Sequence, residues 1–182
     1  MNNKVTKLAL VLLLICAVTA GILGVVNALT FEQIAYNKMM KQISAFSAVL
    51  PSESGYTEVS FDGRAFPTVD SINQSNDGNG YVVTSTFSGA QGNITMACGV
   101  DNELKCTGIS IIEHKETSGL GAVAASTSNK GVAFREQFIG QGADLALTKA
   151  GGTIDALAGA TITSTAVTNA TATSIAAVAA LG

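Results

Sequence analysis

The sequence predicts an α+β chain in which a single N-terminal transmembrane helix precedes a domain built from an antiparallel sheet and flanking helices. Three observations carry this reading. An uncharged run from Leu8 to Leu29 is long enough to cross a bilayer. Three successive runs rich in Val, Ile, Thr and aromatics follow at Tyr81–Phe87, Asn93–Val100 and Leu104–Glu113. The Ala- and Thr-rich tail from Thr163 to Leu181 then places Val167, Ala170, Ser174 and Val178 near one helical face.

The Leu8–Leu29 segment carries only Thr19 and Asn27 as clearly polar side chains. As a helix it spans roughly 33 Å at 1.5 Å per residue, enough for the hydrocarbon core. A cleaved signal peptide is the competing reading, with Lys4 and Lys7 as its basic region. The apolar run is too long for that, and no clean A-x-A site closes it. Leu13-Leu14-Ile15-Cys16 resembles a lipobox, but bulky Ile15 stands where a small residue belongs. A retained anchor fits best. Lys4 and Lys7 before it and Glu32 just after it keep the short N-terminus in the cytoplasm and put the rest of the chain outside.

Residues 30–50 place Ile34, Met39, Ile43, Phe46 and Leu50 at near-helical spacing, so the helix continues beyond the membrane until Pro51. Residues 51–80 are rich in Ser, Gly, Asp and Asn, with a short alternating piece at Tyr56–Phe61 and a turn signal at Asn76–Gly80. The three strand runs predict an antiparallel meander. Cys98 and Cys106 flank its second turn, Asp101-Asn102-Glu103, and read equally well as a cross-strand disulfide or as two buried thiols. Residues 131–140 predict a short helix presenting Val132, Phe134 and Phe138. The expected organisation is a cytoplasmic N-terminus (1–7), the anchor (8–29), a helical linker and start of the exported domain (30–75), and the main domain (76–182).

Composition narrows the chemistry. The chain has 182 residues with a net charge of −3, and the part beyond residue 30 carries thirteen acidic and eight basic residues. That removes the basic footprint nucleic-acid binding requires. One His (His114) excludes His-cluster metal sites, and three Cys fall short of a four-thiolate cluster. No metal site is expected, and neither a catalytic acid–base pair nor a nucleophile for substrate turnover stands out.

Two glycine-containing segments remain. Glu113-His114-Lys115-Glu116-Thr117-Ser118-Gly119-Leu120-Gly121 follows the last strand run, and such a loop exposes backbone N–H groups to a ligand rich in acceptors. Standing alone, it reads better as a turn beside a solvated strand end. Asp155-Ala156-Leu157-Ala158-Gly159-Ala160-Thr161-Ile162-Thr163-Ser164 precedes the last helix, where free N–H groups and the helix dipole favour a phosphate. Ordinary helix capping explains the same hydroxyls, and on the residues alone it is the better account.

At these residues the sequence resembles a known family. Gly159-Ala160-Thr161-Ile162-Thr163-Ser164 is similar to the S/T-G-A-T-x-T/S motif of FMN-binding domains flavinylated on threonine, and Asp155 matches the acidic residue in the recognition pattern of the flavin transferase. His114–Gly121 (HKETSGLG) resembles the H-x-E-T-P-G-L-G loop of the same domains. Gly80-Tyr81 and the Phe134–Gly140 stretch (FREQFIG) match in order and spacing. With the anchor, the resemblance covers essentially the whole chain and is to RnfG, the G subunits of Rnf ion-translocating electron-transport complexes. The C subunits of sodium-translocating NADH:quinone reductases are similar but typically longer. Ala158 stands where the family has Ser or Thr, and Ser118 where it has Pro.

The resemblance implies FMN joined through its phosphate to Thr161, installed after export by a transferase with FAD as donor. It implies cofactor-binding roles for Gly159, Ala160, Thr163, Ser164 and Asp155 on one side, and for Glu116, Thr117, Gly119, Leu120 and Gly121 on the other, with Leu120 packing on the isoalloxazine. The implied activity is that of a redox subunit of a translocase. It would relay electrons in a membrane complex that couples ferredoxin:NAD electron transfer to movement of Na⁺ or H⁺, beside the other Rnf subunits. A free-standing exported FMN protein and a flavin-free tethered binding protein are the alternatives.

Overall fold

A backbone inside a bilayer must satisfy its own polar groups, and a helix does so along its whole length. The computed structural model describes residues 3–181, and its first element is helix α1, Asn3–Val49. It is long and apolar enough to cross a membrane. Two of its hydroxyls are absorbed locally: Thr19 Oγ1 donates to the Ile15 carbonyl at 3.0 Å and Thr30 Oγ1 to that of Val26 at 2.8 Å. One compact unit ends at Lys41 and a second begins at Gln42.

The second unit is built on a five-stranded antiparallel meander, β1 (Tyr56–Val59), β2 (Val69–Ser75), β3 (Gly80–Ser88), β4 (Asn93–Asp101) and β5 (Cys106–Glu113), paired in chain order. Its first two strands lie upstream of residue 76. Side chains at paired positions share a face, so the register produces a continuous row of Ile72, Val83, Cys98 and Ile109. All four are buried in the main core. Helices α2 (Asn129–Glu136) and α3 (Thr161–Ala179) contribute Phe134, Val167, Ala170, Ile175 and Val178 to the same cluster. Phe138 joins them, edge-on to Phe134 with ring centroids 5.4 Å apart.

The opposite face meets the last turns of α1. Ala45, Phe46, Val49 and Leu50 cluster with Val82 and Ala97, and Thr107 Oγ1 donates to the Val49 carbonyl at 2.5 Å. Gly99 and Gly108 are register partners at this point, and a Cβ on Gly99 would run into the Val49 carbonyl. The missing side chains let helix and sheet approach.

Helix α3 has an unpromising composition, because Thr and Ser are poor helix formers. Burial resolves the difficulty. Thr168, Thr171 and Ser174 donate to the carbonyls of Ser164, Val167 and Ala170 at 2.8–3.0 Å, so hydroxyls enter the core already paired.

Four details differ from the sequence expectation. β2 escapes the alternation test because a bulge between Val69 and Ser71 breaks its period. Leu104 lies in the turn with φ of 59°, held by Asp101 Oδ1, which accepts from the N–H groups of Glu103 and Lys105, so β5 starts only at Cys106. The helix expected at 131–140 runs instead over Asn129–Glu136, with Val132 exposed, Phe134 buried, and Phe138 buried in the turn beyond it. Helix α3 begins at Thr161 rather than Thr163 and ends at Ala179. Cys98 and Cys106 sit on neighbouring strands but pair with Ile109 and Val100, not with each other. They are free thiols with sulfur atoms 3.9 Å apart.

Candidate functional site

The N-terminus of α3 starts the site. Gly159, with φ of 73°, turns the chain into Ala160, which precedes the helix without a side-chain cap. The N–H groups of Thr161, Ile162 and Thr163 therefore have no hydrogen-bond partner among the described residues. The summed peptide dipoles add the equivalent of about half a positive charge at this end. Ser164 does not face outward. Its hydroxyl donates to the Ala160 carbonyl at 2.9 Å and accepts the Leu157 N–H at 3.0 Å, bracing the turn from inside.

Thr161 is the first helical residue, and its exposed hydroxyl makes no hydrogen bond among the described residues. Thr163, two positions on, points the other way and is buried. Its Oγ1 donates to Glu116 Oε2 at 2.5 Å. Glu116 is 8% exposed, and its Oε1 accepts the Gln91 N–H at 3.0 Å. Burial pushes this carboxyl up, but the donors from Thr163, Gln91 and Ala90, with His114 close by, outweigh it. The group titrates below its ordinary range.

Glu116 reaches this position because β5 ends at Glu113 and the chain then folds tightly. The Thr117 carbonyl accepts the N–H groups of Leu120 and Ala122 at 3.2 Å, and Gly119 takes φ of 78° at the apex. His114 Nδ1 accepts the Glu116 N–H at 3.2 Å. Gly121 follows with no side chain, and a Cβ there would collide with both Glu116 Oε2 and Thr163 Oγ1.

These segments enclose a cleft of about 380 Å³, inside the usual range for ligand pockets. Glu116, Thr117, Leu120 and Gly121 form one wall, and Gly159 to Thr163 form the other. Leu120 and Ile162 are both exposed beside it and offer apolar surface for a flat ring. Of the residues the sequence singled out, eight line the cleft: Glu116, Thr117, Leu120, Gly121, Gly159, Ala160, Thr161 and Thr163. Gly119 shapes the loop, Ser164 braces the helix start, and Asp155 lies apart on the surface. Ala90, Gln91 and Ile162 were not anticipated. The β3–β4 turn holding Ala90 and Gln91 meets Glu116 through a backbone N–H. The only signal was the pair Gly89 and Gly92 around it.

The Phe134–Gly140 stretch supplies scaffold. Arg135 Nη1 donates to the carbonyls of Ala124 and Ser126 at 2.6 and 2.9 Å, fixing the short turn of 3₁₀ helix (Gly121–Ala125) against α2. Gln137 exchanges two hydrogen bonds with the backbone of Asp155.

An exposed hydroxyl, three N–H groups unpaired among the described residues, a dipole end and an apolar rim suit an anionic, flat-ringed molecule. FMN has that character, and the residues present fit it. Comparison with known proteins agrees. The family model for the FMN-binding domain matches residues 89–176, and that for the RnfG N-terminal region matches residues 1–49. The chain is 33% identical to the G subunit of the ion-translocating oxidoreductase complex of Methanosarcina acetivorans, over 93% of this chain and 92% of the relative. It is 32% identical to the G subunit of the Na(+)-translocating ferredoxin:NAD(+) oxidoreductase complex of Acetobacterium woodii, over 91% and 87%. An ion-translocating oxidoreductase G subunit from Aliivibrio fischeri is 30% identical, over 93% and 88%. The chain belongs to the RnfG family, the G subunits of ion-translocating oxidoreductase complexes.

Proposed function

We propose that this protein carries FMN in a phosphoester to Thr161 and relays electrons within a membrane complex that couples ferredoxin:NAD electron transfer to translocation of Na⁺ or H⁺. One observation carries the residue assignment. Thr161 presents an exposed hydroxyl at the first position of α3, and neither it nor the three neighbouring N–H groups has a partner among the described residues. A phosphate there gains both the donors and the dipole, which offset the hydration it gives up.

FMN, when bound, supplies the electron-carrying chemistry, and the protein supplies binding, orientation and electrostatics. Leu120 and Ile162 would pack against the ring. Glu116, Gly121 and Thr163 would form the floor between the ring and the core. The attachment is a group transfer by a separate transferase: the Thr161 oxygen attacks the flavin-side phosphorus of FAD, the pyrophosphate bond breaks, AMP leaves and the hydroxyl proton is released. Asp155 would serve the transferase rather than the cofactor, since its side chain is exposed and away from the cleft. The Leu8–Leu29 segment would anchor the flavin domain beside the other subunits, and Lys4 and Lys7 support an extracytoplasmic position for it.

The test is denaturing electrophoresis with in-gel flavin fluorescence after coexpression with a flavin transferase. The wild-type band fluoresces and the Thr161→Ala band is dark. Fluorescence surviving in Thr161→Ala overturns the attachment site, and a dark wild-type band overturns the covalent link.

A further inference from the structure

Glu116 is a buried carboxylate with no ion-pair partner among the described residues, built into the wall of the cleft. The fold goes to some length to keep it there. A Cβ on Gly89 would crowd its Oε1 and a Cβ on Gly121 its Oε2, so two glycines from different loops leave room for one carboxylate. Each oxygen receives a hydrogen bond from a different segment, the β3–β4 turn and the start of α3. Structural cohesion alone does not require a charge, because a neutral acceptor could tie the same segments without the desolvation cost of an anion.

We infer that Glu116 is a redox-tuning residue whose fixed negative charge in the cleft wall lowers the reduction potential of the flavin. The inference rests on the assignment of FMN to this cleft. Near neutral pH, reduction adds two electrons and one proton to the flavin ring, the electrons coming from the reductant of the complex and the proton from water. The ring ends one unit more negative. A fixed anion in the cleft wall raises the energy of that reduced ring more than that of the oxidised one. The Thr163 and Gln91 donors keep the carboxylate ionised through the neutral range, so the bias does not fade with modest changes in pH. Thr163 moderates the charge by spreading it over a hydrogen bond.

The experiment is potentiometric titration of the full-length flavinylated chain at pH 8, with flavin content read separately by in-gel fluorescence. Glu116→Gln removes the charge and shifts the midpoint potential upward. Thr163→Val keeps the charge, removes its donor and shifts the potential downward. Opposite signs separate tuning from a loosened pocket, which moves both variants the same way. An unchanged potential in flavin-bearing Glu116→Gln, or shifts of one sign in both variants, overturns the inference. Where only one variant retains flavin, the direction of its shift decides. Loss of flavin from both overturns the inference too, because the pair then acts in retention. A wild-type chain dark in the gel overturns the covalent attachment in the proposed function, an outcome distinct from any shift in potential.

Discussion

Gln137 and Asp155 exchange hydrogen bonds in both directions: Asp155 N–H donates to Gln137 Oε1 at 2.7 Å, and Gln137 Nε2 donates to the Asp155 carbonyl at 3.3 Å. The partner is the backbone, so the clamp fixes the course of the chain into the 155–161 segment and leaves the carboxylate free at the surface. Gln137→Ala is expected to cost about 1 kcal/mol of stability, the usual scale for lost hydrogen bonds at an exposed site. It also slows flavin attachment, because the segment no longer holds one shape. Asp155→Ala slows attachment as well but stays within about 0.5 kcal/mol of wild type. Chemical denaturation and a fluorescence time course separate the two; equal destabilisation by both changes contradicts the backbone clamp.

Gly121 and Gly119 lie two residues apart and answer to different constraints. A Cβ on Gly121 meets Glu116 and Thr163, whereas Gly119 has open space around it and needs only its φ of 78°. Gly121→Ala is expected to cost about 1–3 kcal/mol through overpacking and to reduce flavin content. Gly119→Ala costs about 1–2 kcal/mol through backbone strain alone and leaves flavin content near wild type. Flavin loss in Gly119→Ala matching that in Gly121→Ala would place the sensitivity in the loop conformation and not in the Glu116 contact.

Much of this architecture was legible in the sequence because its signals are local. The anchor is a contiguous property, β3 and β4 are rich in Val, Ile, Thr and aromatics between turn residues, and the core of α3 follows helical spacing. What escaped depends on partners distant in the chain. The period of β2 is broken by a bulge that only its pairing with β3 explains. Thr163 and Ser164 both looked like hydroxyls for a phosphate, yet both turn inward, one to Glu116 and the other to Leu157 and Ala160. Gln91 joins the site through a backbone N–H, which leaves no mark on residue identity.

Stability in acid follows from the same carboxylate. Burial works against ionised Glu116, but its hydrogen bonds win and hold its folded pKa below the ordinary value. The stabilisation is therefore complete above the unfolded carboxylate range and is lost as pH falls through the depressed folded value. Asp77 is also held below its ordinary value, by hydrogen bonds from Ser54 and Ser52 and the Glu53 N–H, but it is exposed and solvent screens most of its contribution. Thermal melts of flavin-free protein should drop in Tm below about pH 4, and Glu116→Gln should flatten part of that limb. An identical acid limb in the variant shows that Glu116 contributes nothing to it.

Cys98 and Cys106 lie in the core with sulfur atoms 3.9 Å apart and almost no accessible surface. The contact with Cys106, together with burial, pushes the Cys98 thiol well above its ordinary value. Thiolate is the reactive form, so Cys98 is expected to resist alkylation at pH 8 in the folded protein and to label once denatured. Mass spectrometry after labelling in the two states reads this directly. Rapid native labelling of Cys98 shows that the strand pair opens.

Ser164 and Thr161 together separate folding from modification. The Ser164 hydroxyl is fully buried and takes the N–H of half-buried Leu157, so Ser164→Ala leaves that donor without its partner at a cost of about 1 kcal/mol. Thr161 is exposed at the first helical position, its hydroxyl unpaired among the described residues, and Thr161→Ala stays within about 0.5 kcal/mol of the flavin-free wild type. Ser164→Ala therefore lowers the denaturation midpoint while remaining competent for attachment at low temperature, where the fold persists. Thr161→Ala keeps the midpoint and takes no flavin at any temperature. If Ser164→Ala is dark at low temperature while still folded, its hydroxyl belongs to the attachment chemistry and the division of labour between these two neighbours is wrong.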